Sequence, residues 1–204
     1  YNDGSDIPIV TDDAAWAALS TPGYSWYNND SATHNSTYGP LYNWYTVNTG
    51  NLCPTGWHVP SDAEWTVLTD YLGGINVAGG KLKETGFAHW NNPNTSASNE
   101  TGFTAIPGGA RNGNGSFSFI GENGCWWSST ETDAINAWLN YVSFNSVSSV
   151  RVSDSKLFGL SVRCLKDLVP PIVLPTCTTQ VVTVITSTTA TSGGDVMNDG
   201  GAAV

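Results

Sequence analysis

Three prolines fall within seven residues, Val169-Pro170-Pro171-Ile172-Val173-Leu174-Pro175. No helix or central strand runs through such a segment, because each proline removes a backbone donor and fixes φ. The segment is expected to be extended and semi-rigid, with Pro170, Pro171 and Pro175 holding it so. It divides the chain into a domain at 1–167, a Pro-rich linker at 168–177 and a β-strand tail at 178–204. The run Thr178 to Thr189 is rich in β-branched residues and carries no charge. It predicts one strong strand over Val181–Thr189, then a turn at Gly193-Gly194 and a weaker second strand. A strand of this kind left in water templates aggregation, so the tail is expected to lie hidden in a sheet.

Residues 1–167 read as an α+β domain. Thr11-Asp12-Asp13 precedes Ala14–Leu19, a short capped helix with Trp16 and Leu19 facing inward and Pro22-Gly23 as its stop. The stronger helix begins at Ser61: Ser61-Asp62-Ala63-Glu64 forms a capping box, Trp65, Leu68 and Leu72 share a face, and Gly73-Gly74 ends it. Strands are predicted at 102–106, 116–120, 125–129, 137–144, 150–153 and 160–165. The intervening turn residues suit antiparallel connections. Two main short helices and a twisted antiparallel sheet follow.

Only 12% of the 204 residues are charged, the net charge is −10, and the seven basic residues are scattered along the chain. A phosphate backbone is repelled by such a surface, so nucleic acid is not an expected partner. The apolar stretch 168–175 is far below the roughly 20 residues of a spanning helix, so membrane insertion is not expected. A start at Tyr1, inside a polar turn-like stretch, reads as a processed product. Four cysteines, Cys53, Cys125, Cys164 and Cys177, show no C-x-x-C spacing, which points to disulfides or buried thiols rather than zinc and leaves the pairing open. Five Asn-x-Ser/Thr sequons begin at Asn29, Asn35, Asn94, Asn99 and Asn114; in a chain this rich in Asn, Ser and Thr they carry little weight.

No catalytic constellation is visible. His34, His58 and His89 are the imidazole candidates for general-base chemistry, and a structural hydrogen bond is the expected role of His58. Gly-x-Ser-x-Gly, His-Glu-x-x-His and P-loop patterns are lacking in the sequence. Asp3, Asp6, Asp12 and Asp13 read as a solvated loop and helix cap. Aromatics at Trp26-Tyr27, Tyr42-Trp44-Tyr45, Trp90 and Trp126-Trp127 suggest either core or a sugar-stacking platform, and alternation along a strand leaves one of Trp126 and Trp127 free to face outward.

Five ordered stretches carry a resemblance: Tyr38-Gly39-Pro40-Leu41-Tyr42-Asn43-Trp44-Tyr45, Cys53-Pro54-Thr55-Gly56-Trp57-His58-Val59-Pro60-Ser61-Asp62-Ala63-Glu64-Trp65, Gly102–Arg111, Trp126-Trp127-Ser128-Ser129-Thr130 and Ser161-Val162-Arg163-Cys164. Together they resemble the Fibrobacter succinogenes major paralogous domain, a family of secreted bacterial modules. The resemblance implies a C-type-lectin-like fold, an extracellular or cell-surface location and a Cys53–Cys164 bridge. It further implies a missing first strand, since family members carry one before this point, and a tail resembling the opening of a Thr-rich β-sandwich repeat. Calcium sites of lectin-like domains need six to eight oxygens. Asn92-Pro93-Asn94 echoes one ligand loop, but Trp126–Ser129 brings no acidic ligand, so no metal or other cofactor is expected, calcium being the one cation raised.

The expectation is therefore a non-enzymatic structural or adhesion module. Val181, Val182, Val184 and Ile185 form a donor strand for the next identical subunit, giving a head-to-tail filament. The alternative is a carbohydrate- or protein-binding lectin-like module of a larger surface protein, using Trp90, Asn92, Asn94, Trp126 and Trp127.

Overall fold

Short apolar runs broken by glycine and asparagine turns make short elements. The computed structural model describes residues 1–168 and 176–198. The chain divides into two units, Tyr1–Asp167 and Leu168–Val204. Pro170, Pro171 and Pro175 lie outside the described residues.

In the first unit, α1 (Asp13–Ala17) starts at an Asp12 cap that accepts from the Ala15 amide and buries Trp16. β1 (Tyr24–Ser25), α2 (Ser31–His34), β2 (Leu41–Tyr42), α3 (Trp44–Val47) and β3 (Trp57–His58) follow. α4 (Asp62–Tyr71) begins at Ser61 with both arms of the capping box formed. Gly73 and Gly74 then turn the chain with φ of 97° and 98°, and α5 (Ile75–Leu82) starts at once. β4 (Gly108–Arg111), β5 (Phe117–Ile120), β6 (Asn123–Glu131), β7 (Asn136–Ser143), β8 (Ser149–Ser155) and β9 (Leu165–Lys166) complete the unit. The second unit holds β10 (Thr176–Thr179) and β11 (Gly194–Asn198).

Five strands form one sheet in the order β5-β4-β6-β7-β8. The β4–β6 neighbours are parallel and the others antiparallel. The sheet carries a core on each face. Trp127 packs with Trp44, Val47, Cys53 and Leu139; Trp126 packs with Trp65, Leu72, Ala78, Leu82 and Trp90. Alternation along β6 thus sends adjacent tryptophans to opposite faces, and both faces are covered. The buried indole N–H groups of Trp16, Trp44, Trp90 and Trp127 each donate to a carbonyl, those of Leu157, Ser128, Ala105 and Tyr42.

Buried cations collect carbonyls that the short strands leave over. The Lys83 side chain is fully buried. Its ammonium donates to the carbonyls of Thr95, Ser143 and Ser146 at 2.8–2.9 Å. Arg111, also fully buried, donates to Gly115, Val10 and Thr11 carbonyls and to Asp13, with its guanidinium 4.3 Å from the Trp16 ring centre. Lys156 holds Glu131 and the carbonyls of Asp133 and Ala134 beyond β6. Arg151 makes a two-pronged pair with Asp62 on α4, and Arg163 donates to the Phe103 carbonyl.

Three predicted elements change and one helix is added; among the changes, the strand expected at 160–165 shrinks to isolated bridges at Leu160 and Ser161 ahead of the two-residue β9. Where a strand is expected over 102–106, only a bridge between Lys83 and Ala105 forms, because Gly102 and Thr104 take positive φ. The residues expected to turn there, Gly108 and Gly109, are strand β4. A Cβ on Gly109 would sit 2.6 Å from the Ser118 carbonyl oxygen, so glycine permits the β4–β5 approach. The helix α5 was unforeseen because Gly79-Gly80 costs about 1 kcal/mol per glycine in helix propensity. Packing requires both: added Cβ atoms would lie 2.2 Å from the Ser148 oxygen and 2.6 Å from the Ser96 oxygen.

The C-terminal end of the first unit is joined twice to the segment that precedes α4. β3 pairs antiparallel with β9, Trp57 opposite Lys166 and His58 opposite Leu165. The disulfide Cys53–Cys164, implied by the family resemblance, is present and spans 111 residues. A loop of this length removes about 4–5 kcal/mol of denatured-state entropy. Replacing both cysteines by serine is therefore expected to lower unfolding free energy in urea by about that amount. A loss below about 1 kcal/mol would show that the bridge adds little to closure already made by β3 and β9.

Candidate functional site

The residues put forward for ligand binding do not form a surface. Trp90, Trp126 and Trp127 are 2%, 5% and 0% exposed, so no ring face is open to a sugar. The physical reason is the double covering of the sheet, which gives each indole a core to fill. Asn94 is buried as well, its amide donating to the carbonyls of Glu84 and Gly86; the same contacts occupy the nitrogen that a glycan at this sequon would need. Asn92 alone of the group is exposed. Among the described residues, no cluster of three or more His, Cys, Asp or Glu is placed to hold a metal. Among them too, no helix is long and apolar enough to cross a membrane.

His58 joins three segments. Its Nδ1 lies 2.5 Å from Asp167 Oδ1 and its Nε2 2.9 Å from Glu64 Oε1. A carboxylate on each nitrogen favours the protonated ring, and its pKa is raised above 6.5, first by the Asp167 hydrogen bond and then by Glu64. Glu64 also accepts from the Ser61 amide and hydroxyl. The cluster thus ties β3, the start of α4 and the end of β9 into one polar clasp. On its other side Glu64 borders a small apolar cleft with Trp65, Leu68 and Phe103.

Two free thiols remain. Cys125 is buried, and desolvation pushes its thiol up to about 12. Such a thiol is inert as a nucleophile. Cys177 is exposed in the second unit.

The second unit pairs two strands, as expected, but they lie at Thr176–Thr179 and Gly194–Asn198 rather than over Val181–Thr189. β10 and β11 pair antiparallel, Cys177 opposite Val196 and Thr179 opposite Gly194. Pairing continues through Gln180 to Gly193 and through a two-way exchange between Thr183 and Thr191. The chain reverses within the stretch predicted as continuous strand. Val184 takes φ of 51°, and the Thr186 hydroxyl accepts from the amides of Thr188 and Thr189. Threonine hydroxyls capture nearby backbone in this way and end strands that β-propensity alone would extend. Val181, Val182, Val184 and Ile185 are 84%, 46%, 71% and 73% exposed.

A groove on the first unit was missed by sequence reasoning. Tyr24 and Trp26 lie on either side of the fully buried Ser25, and Tyr42 is the cross-strand partner of Tyr24. These three aromatic rings, with Asp6, Ile9 and Asn35, line an open cleft of about 620 Å³. The signal available was the i, i+2 spacing of Tyr24 and Trp26, which only a β1–β2 pairing turns into one cluster.

The description "Fibrobacter succinogenes major domain" belongs to the family model that matches residues 1–166. No curated protein and no solved structure matches the chain.

The His58 clasp has a definite pH signature. A histidine whose folded pKa lies above its unfolded value binds more protons in the native state, so its stabilisation is complete below pH 6.5 and is lost as pH rises through the folded pKa. Wild-type Tm is expected to fall across that window, whereas His58→Gln starts lower in acid and lacks the fall. Parallel Tm profiles for the two proteins would remove His58 from the closure.

Proposed function

The chain belongs to the Fibrobacter succinogenes major domain family, and from that premise we propose that it is a non-enzymatic extracellular structural module that assembles with copies of itself through its C-terminal hairpin. The observation that carries this reading is the state of residues 177–195: every side chain described there is exposed. Two strands alone are marginal in water. Four bare β-branched or aliphatic side chains and two open edges make the hairpin a donor seeking a sheet. The five-stranded sheet of the first unit ends on β5 and β8, the edges to which a neighbouring copy's hairpin would add. A contact of this kind is head-to-tail, so it propagates into a filament unless its rotation closes a ring.

We also infer a C-type-lectin-like organisation for residues 1–167. It is supported by the pairing of β3 with β9, the disulfide beside them, and the two consecutive helices α4 and α5 on one face of the sheet. An extracellular setting agrees with that disulfide.

Electron microscopy and light scattering on the purified full chain test the assembly. Polymers or defined oligomers are expected, and deletion of residues 178–204 is expected to return monomers with an unchanged far-UV spectrum. Monomers at high concentration in both proteins would overturn the proposal, as would polymers that persist after the deletion.

A further inference from the structure

The cleft beside β1 and β2 has the composition of a saccharide site. Tyr24 and Trp26 meet edge to face with ring centres 5.2 Å apart, and Tyr24 and Tyr42 tilt at 37° with centres 5.6 Å apart. None of the three rings is fully buried. Ser25 between them points to the core with no exposure, so strand geometry commits both neighbours to the outer face. The Trp26 indole N–H donates to Asn35 Oδ1 at 2.9 Å, which fixes the ring. That bond uses the Asn35 oxygen and leaves its amide nitrogen without a partner among the described residues. Asp6 adds an exposed carboxylate to the same rim. A rigid aromatic surface flanked by one acceptor and one donor suits a sugar, whose C–H face stacks on a ring while its hydroxyls meet the polar groups. The volume of about 620 Å³ lies within the roughly 300–1,000 Å³ of ligand clefts.

The N-terminal segment along the cleft is anchored at its far end. Arg111 grips the carbonyls of Val10 and Thr11, and Val10 donates to the Tyr24 carbonyl. The segment bearing Asp6 and Ile9 is thus held against β1, and the site is preorganised.

Charge decides the class of sugar. The chain carries −10, and Asp6 stands on the rim of the cleft with Asp3 exposed three residues before it. Uronate or sulfate groups are repelled there. We propose that this cleft binds a neutral oligosaccharide, with Trp26 and Tyr42 as stacking residues and Asp6 and Asn35 as hydroxyl partners. This goes beyond the assembly reading and stands independently of it.

The full chain is titrated with cellohexaose, laminarihexaose, xylohexaose and mannohexaose, and with a galacturonate hexamer, following tryptophan fluorescence and calorimetric heat. Saturable binding of at least one neutral oligosaccharide and none of the galacturonate is expected. Trp26→Ala should weaken that binding by about tenfold or more. Because Trp26→Ala could disturb folding, the surface changes Asn35→Ala and Asp6→Asn are tested beside it; each should weaken binding several-fold with Tm unchanged. The proposal is overturned if no neutral oligosaccharide saturates at millimolar concentration, if the galacturonate binds as well, or if binding survives all three substitutions.

Discussion

The Lys83 ammonium, buried beneath α5 and bonded to three carbonyls, supplies what a sheet-and-loop fold of this kind lacks most. Its strands are short, so many backbone oxygens have no ladder partner, and an orphaned buried carbonyl costs about 1–3 kcal/mol. An ammonium offers three donors and a guanidinium five, which is enough to satisfy several such oxygens from one point. Lys83 gathers the loop at Thr95 and the β7–β8 turn at Ser143 and Ser146. Arg111 does the same for the N-terminal segment and Lys156 for the β6–β7 turn.

Spending basic residues inside has a surface consequence. Of seven, Lys83, Arg111 and Lys156 are buried, while Arg151 and Arg163 are tied to Asp62 and the Phe103 carbonyl. The exterior is left with an excess of carboxylates. That excess disfavours polyanionic partners.

Much of this was legible in the residues because local chemistry was strong. The Ser61–Glu64 capping box, the turn at Gly73-Gly74 and the consecutive strands β6 to β8 follow from short-range pattern. What escaped depended on long-range contact. Gly79-Gly80 looks hostile to a helix until Ser148 and Ser96 are seen pressed against it, and Gly108-Gly109 looks like a turn until β5 lies alongside. Trp126 and Trp127 alternate as a strand demands, yet covering on both faces buries both. In the tail, β-branched composition signalled strand, while threonine hydroxyls at 186–189 turned the chain back. The aromatic cleft was half visible, since Trp26 and Tyr42 stood out singly but their meeting required the β1–β2 pair. The roles of Lys83 and Arg111 left no sequence mark at all.

The claim that buried cations frame the domain is tested most directly by following the lysine side-chain carbons through a pH titration by NMR, with Lys83→Met to assign the resonance. Burial draws the Lys83 ammonium down from 10.5 to about 8. Between those values the unfolded chain binds the extra proton, so the contribution of Lys83 to stability rises with pH across that window. The account predicts a resonance titrating near 8 that disappears in the variant, together with a stability difference from the variant that grows above pH 8. Lys83 titrating at the ordinary 10.5, or a variant as stable as the parent, would contradict it.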